Sequence, residues 1–113
     1  MKLFTVELAI YDEILAMVLN EDAFKPTSFI MGIFDSAENA VNYVLRATEN
    51  EEIMEEDCEE VHVFISSSTL NEANSENSVA HYQVRDNEWE FDDEYKESFT
   101  HLINPSTDQL LKN

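Results

Sequence analysis

At 113 residues the chain has room for one hydrophobic core and not for two. Its 43% hydrophobic and 11% aromatic content is that of a folded domain and excludes a disordered acidic tail. With 25 Asp plus Glu against 6 Lys plus Arg the formal net charge is -19, which argues against direct binding to nucleic acid or to anionic membrane surfaces.

Phe4, Val6, Leu8 and Ile10 recur at a spacing of two with Thr5 and Glu7 between them, so residues 2–11 are expected to form a half-buried strand. Asp12 can cap the next segment. There Ile14, Leu15, Val18 and Leu19 share one helical face, which predicts a short helix over 13–22, with a continued strand or hairpin as the alternative. Glu7 interrupts the first apolar run and 14–19 is far shorter than a membrane span of about 20 residues, so neither a signal peptide nor a transmembrane helix is expected.

Lys25-Pro26-Thr27-Ser28 breaks the chain, and Phe29 to Phe34 reads as a second strand. Asp35 as N-cap, Glu38 at the third helical position and the stripe Ala37, Ala40, Val41, Val44 and Leu45 predict a helix over 36–48. Val61, Val63 and Ile65 give a third strand, followed by a polar connection from Ser66 to Ser78. Tyr82 and Val84, then Trp89 and Phe91, alternate on either side of Asp86-Asn87 and predict a hairpin with a tight turn. Tyr95, Phe99, Leu102 and Ile103 predict an amphipathic helix over 93–103, ended by Asn104-Pro105.

This order has no regular βαβ alternation and no internal repeat. It predicts an α+β fold: a single domain over 1–105 with a short tail at 106–113, mainly an antiparallel sheet of four to five strands with two to three helices packed on it. The chain holds one glycine, Gly32, so tight turns must rely on Asn and Asp, which tolerate positive φ.

The acidity gathers in two places. The first is Glu49, Glu51, Glu52, Glu55, Glu56, Asp57, Glu59 and Glu60, without an intervening Lys or Arg; the second is Asp86, Glu88, Glu90, Asp92, Asp93, Glu94 and Glu97, beside Arg85 and Lys96. If the first continued the preceding helix, Glu52, Glu56 and Glu60 would form one row and Glu51, Glu55 and Glu59 another, with Met54, Cys58 and Val61 opposite. A loop is the alternative, since like charges at i,i+4 each cost a helix about 0.2–0.5 kcal/mol. In the hairpin, Glu88 and Glu90 should share one face while Trp89 and Phe91 share the other. Charge runs are ordinarily solvated surface, but this net charge exceeds what solubility requires.

No constellation for chemistry emerges. Cys58 and His62 are four apart, but a structural zinc site needs more ligands than one Cys and one His, and His81 and His101 do not extend the spacing. Asp86, Glu88, Glu90, Asp92, Glu94 and Glu97 fall in an EF-hand register that fails where Phe91 replaces the turn glycine. No phosphate loop, nucleophile elbow or zinc-protease helix occurs. The expectation is a non-enzyme without metal or cofactor. The lone Cys58 excludes an internal disulfide and fits a reducing compartment, so a cytoplasmic location is expected.

In size, charge and clustered carboxylates, over 49–60 and 86–97, the chain resembles the small acidic inhibitors carried by bacteriophages and mobile elements, among them DNA-mimicking anti-restriction and anti-CRISPR proteins. The segment Gly32-Ile33-Phe34-Asp35-Ser36-Ala37-Glu38-Asn39-Ala40 is similar to the strand-to-helix junction of many small phage and bacterial α+β proteins. The resemblance implies a non-enzymatic inhibitor that uses both acidic clusters to occupy the nucleic-acid-binding surface of a basic partner, such as a bacterial defence nuclease. The alternative is an adaptor module that binds through a hydrophobic face, its acidity serving solubility. Homodimerisation is left open.

Overall fold

The computed structural model describes residues 1–12, 27–50, 52–53 and 59–103. Their elements are β1 (Lys2–Asp12), β2 (Thr27–Phe34), α1 (Ala37–Glu49), β3 (Glu59–Thr69), β4 (Asn77–Gln83), β5 (Glu88–Phe91), α2 (Asp93–Lys96) and α3 (Thr100–Ile103). The strands form one five-stranded sheet in the order β2-β1-β3-β4-β5, and every neighbouring pair is antiparallel. This is the α+β domain expected, with less helix, since α1 alone among the described elements exceeds one turn.

The period-two pattern decides which side of the sheet is core. Phe4, Val6 and Leu8 of β1 are buried with Val61, Val63 and Ile65 of β3, and the register pairs Val6 with Ile65 and Leu8 with Val63. Ala80, Tyr82, Trp89 and Phe91 continue this face across β4 and β5. α1 covers it with Ala40, Val41, Val44 and Ala47.

The cap of α1 lies one residue later than expected. Ser36, extended at φ -146°, is the N-cap, and its Oγ accepts the Asn39 N–H at 3.1 Å; the Asp35 carboxylate accepts instead from Asn39 Nδ2 at 3.0 Å. Removing the hydroxyl leaves one of the helix's unsatisfied amides without its acceptor. Ser36→Ala should therefore cost about 1 kcal/mol in urea denaturation.

At its other end α1 stops at Glu49. The Asn50 N–H bonds the Arg46 carbonyl at 2.9 Å, and the Glu52 and Ile53 N–H groups both return to the Ala47 carbonyl, which seats Ile53 in the core. Burying Ile53 turns the chain away from the helix axis, and Glu60 is found on β3. The helical row Glu52, Glu56, Glu60 is therefore not formed.

Several boundaries also move. Asp12 ends β1 opposite Glu59, and the helix expected over 13–22, with Asp12 as its cap, lies outside the described residues. Ser66, Ser67 and Ser68 are strand and not connection, paired with Thr5, Phe4 and Leu3, and Ser67 is 2% exposed. Backbone pairing to a long central strand overrides their weak strand propensity. The helix expected over 93–103 is split into the single turns α2 and α3. The Thr100 hydroxyl bonds the Lys96 carbonyl at 2.7 Å across the break, and the Leu102 N–H bonds the Phe99 carbonyl at 3.0 Å, three residues back instead of four.

The turns use asparagine as anticipated: Asn71, Asn74 and Asn87 have φ of 69°, 58° and 52°. In the β4–β5 hairpin the Asn87 N–H bonds the Val84 carbonyl at 3.3 Å, and its side-chain oxygen accepts from the Tyr82 hydroxyl at 2.8 Å. Gly32 sits within β2 opposite Val6, where a Cβ would meet the Phe34 ring at 3.0 Å.

Candidate binding surface

The second acidic cluster is built as the alternation requires. Trp89 and Phe91 are 8% and 7% exposed, while Glu88 and Glu90 between and before them point to the opposite face and are exposed. Asp86 in the hairpin turn, and Asp92, Asp93, Glu94 and Glu97 on the corner leading into and past α2, are also exposed. Trp89 is thus a core residue, and Tyr95 meets Phe4 edge-on at 6.3 Å. Glu88 and Glu90 lie on a strand, so the EF-hand register does not correspond to a loop.

Of the first cluster, Glu49 and Glu52 are exposed near the end of α1, Glu59 opens β3, and Glu60 is half-buried on β3. Glu51, Glu55, Glu56 and Asp57 lie outside the described residues, as does Cys58. Glu60 shares the outer face of the sheet with Glu88 and Glu90, and its Oε1 accepts from Gln83 Nε2 at 3.1 Å. Glu60, from the first cluster, and Glu88 and Glu90, from the second, are thus distant in sequence but share one surface.

Register adds residues that spacing alone did not reveal. Ile30, Glu7, Phe64, His81 and Glu90 stand in one row across all five strands. In the next row His62 is opposite Ala9 and Gln83, and Gln83 is opposite Glu88. His62 and His81 stack with centroids 4.9 Å apart, Phe64 stacks on His81 at 4.8 Å, and Tyr11 meets His62 edge-on at 5.3 Å.

His62 Nδ1 and His81 Nε2 are 2.7 Å apart, a distance that accommodates one shared proton but not a hydrogen on each nitrogen. Their outer nitrogens face carboxylates: His62 Nε2 is 3.5 Å from Glu60 and His81 Nδ1 is 4.0 Å from Glu90. Burial, and then the neighbouring His62, hold the His81 pKa below the usual histidine value, against the opposing pull of Glu90. Among the described residues no three His, Cys, Asp or Glu side chains converge as metal ligands.

This depression sets the direction of a pH effect. As pH falls through about 6.5 the unfolded chain takes up a proton that native His81 resists, so stability should decline below neutrality and level off once pH is under the native pKa. Relief of carboxylate self-repulsion acts oppositely but near pH 4, outside this window. The urea midpoint is expected to drop between about pH 7.5 and 5.5, and His81→Phe, which keeps a ring in the stack, should flatten that slope.

Compared with known proteins, the chain matches no family model, no curated protein and no solved structure. No helix of the described residues is long and apolar enough to cross a membrane.

Proposed function

We propose that this chain is a non-enzymatic acidic binding protein whose carboxylates occupy the nucleic-acid-binding surface of a basic partner. The observation that carries it is the alternation in β5: burial of Trp89 and Phe91 fixes Glu88 and Glu90 outward, so the anionic groups stand on a packed scaffold. Asp92, Asp93, Glu94 and Glu97 prolong the same edge, and the net charge of -19 steers the molecule toward Lys- and Arg-rich surfaces. A bacterial defence nuclease is the partner class to which the resemblance to phage-borne inhibitors points.

A DNA-competition assay tests this with a partner recovered from bacterial lysate at low salt. Recovery should fall steeply as salt rises, and DNA should displace the chain from its partner. Binding that ignores both salt and DNA would refute mimicry. The alternative of docking through a hydrophobic face has its own support, because Ile30, Ile33 and Phe64 are exposed.

A further inference from the structure

The apolar groups and the carboxylates of the outer face are interleaved. Glu7 stands between Ile30 and Phe64 in the cross-strand row, and His81 stands between Phe64 and Glu90. Ile30 and Ile33 are 60% and 59% exposed on the edge strand β2, and Phe64 is 38% exposed at the centre of the sheet. β2 carries no charged residue along its length, in a chain whose net charge is -19. An edge left uncharged in so acidic a protein departs from the usual protection of sheet edges by charge.

We propose that this outer face docks a basic amphipathic segment of another protein, whose apolar side chains cover Ile30, Ile33 and Phe64 while its Lys and Arg residues meet Glu7, Glu60 and Glu90. The inference rests on the acidic-binding function proposed above and gives that function its mode of contact. Charge complementarity selects the occupant. A second copy would set like carboxylates against Glu7 and Glu90, and an anionic membrane would be repelled by the same groups. A purely cationic segment would pair with the carboxylates and leave the exposed isoleucines in water. Only a segment that presents basic and apolar residues together on one face satisfies both; in an extended strand these are every second residue, taken alternately apolar and basic.

The experiment titrates three short synthetic peptides into the full isotopically labelled chain: a Lys/Leu peptide in which every second residue is alternately Leu and Lys with Ser between them, so that both types share one strand face, oligolysine, and a Glu/Leu peptide of the same pattern with Glu in place of Lys. Amide shifts are followed at about 0.1 and about 1 M salt, where the screening length shrinks from roughly 10 to roughly 3 Å. The Lys/Leu peptide should shift Ile30, Ile33 and Phe64 and keep measurable affinity at high salt, whereas oligolysine should lose it. Phe64→Ser and, separately, Ile30→Ser should weaken the Lys/Leu peptide at least about tenfold and leave oligolysine unchanged, with preserved spectral dispersion showing that each variant is folded. Shifts confined to 86–97, or indifference to both serine variants, would overturn the docking mode while sparing the acidic-binding function. Equal binding of the Glu/Leu peptide, together with indifference to Glu7→Lys and Glu90→Lys, would sink that function itself. A dimer that Phe64→Ser dissolves would assign the face to a second copy and overturn the proposal.

Discussion

Trp89→Ala is expected to remove about 3–5 kcal/mol of stability, a large fraction of what a domain of this size possesses. Trp89 lies at 4.6 Å from Tyr82 and 5.3 Å from Phe91, and Phe91 stacks at 5.0 Å on Phe99, so the ring is the middle of a continuous aromatic ladder. β5 is four residues long and pairs with β4 alone, which leaves it few backbone bonds to hold it in place. The ladder supplies the missing attachment, and it also fixes which way Glu88 and Glu90 point. Urea denaturation should register the loss. Hydrogen exchange should show the β4–β5 amides opening before those of β1 and β3. Trp89→Phe, which keeps a ring on Tyr82, should recover most of the difference. A loss under about 1 kcal/mol would mean that the hairpin is held by something other than this stack.

Where a local signal decides the structure, the sequence is a good guide. The alternation of Phe4, Val6 and Leu8, the stripe Ala40, Val41 and Val44, and the outward set of Glu88 against Trp89 and Phe91 all follow from the periods of strand and helix. Non-local pairing is not legible. Nothing in the spacing shows that β3 lies beside β1 and leaves β2 at the edge, and Ser66 to Ser68 look like loop until Phe4 and its neighbours are seen opposite them. The stack of His62 on His81 is hidden for the same reason: the two sit on adjacent strands, and only the pairing of Phe64 with His81 and of His62 with Gln83 brings the rings together. Glu7 is an isolated carboxylate in the sequence, since its place between Ile30 and Phe64 exists only once three strands are aligned. Over 93–103 the apolar spacing is helical throughout, but it carries no sign that Leu102 bonds three residues back, to the Phe99 carbonyl, and that the helix divides into two single turns.

Charge reversal along the β5 edge should move stability and binding in opposite directions. Glu88, Glu90, Asp93 and Glu94 are all exposed, and each change to Lys removes two units from a net charge of -19. Relief of self-repulsion should raise the urea midpoint of the quadruple variant, most clearly at low salt. Binding to a basic partner should fall, because an exposed ion pair contributes about 0.2–1 kcal/mol and several lost together weaken affinity by on the order of a hundredfold. The opposed signs make the outcome diagnostic. A variant that lost binding through damage would lose stability with it, whereas one that gains stability and loses its partner has lost only the anionic surface. If the variant gains stability and binds as before, these carboxylates serve solubility, and recognition belongs to the apolar residues of the outer face.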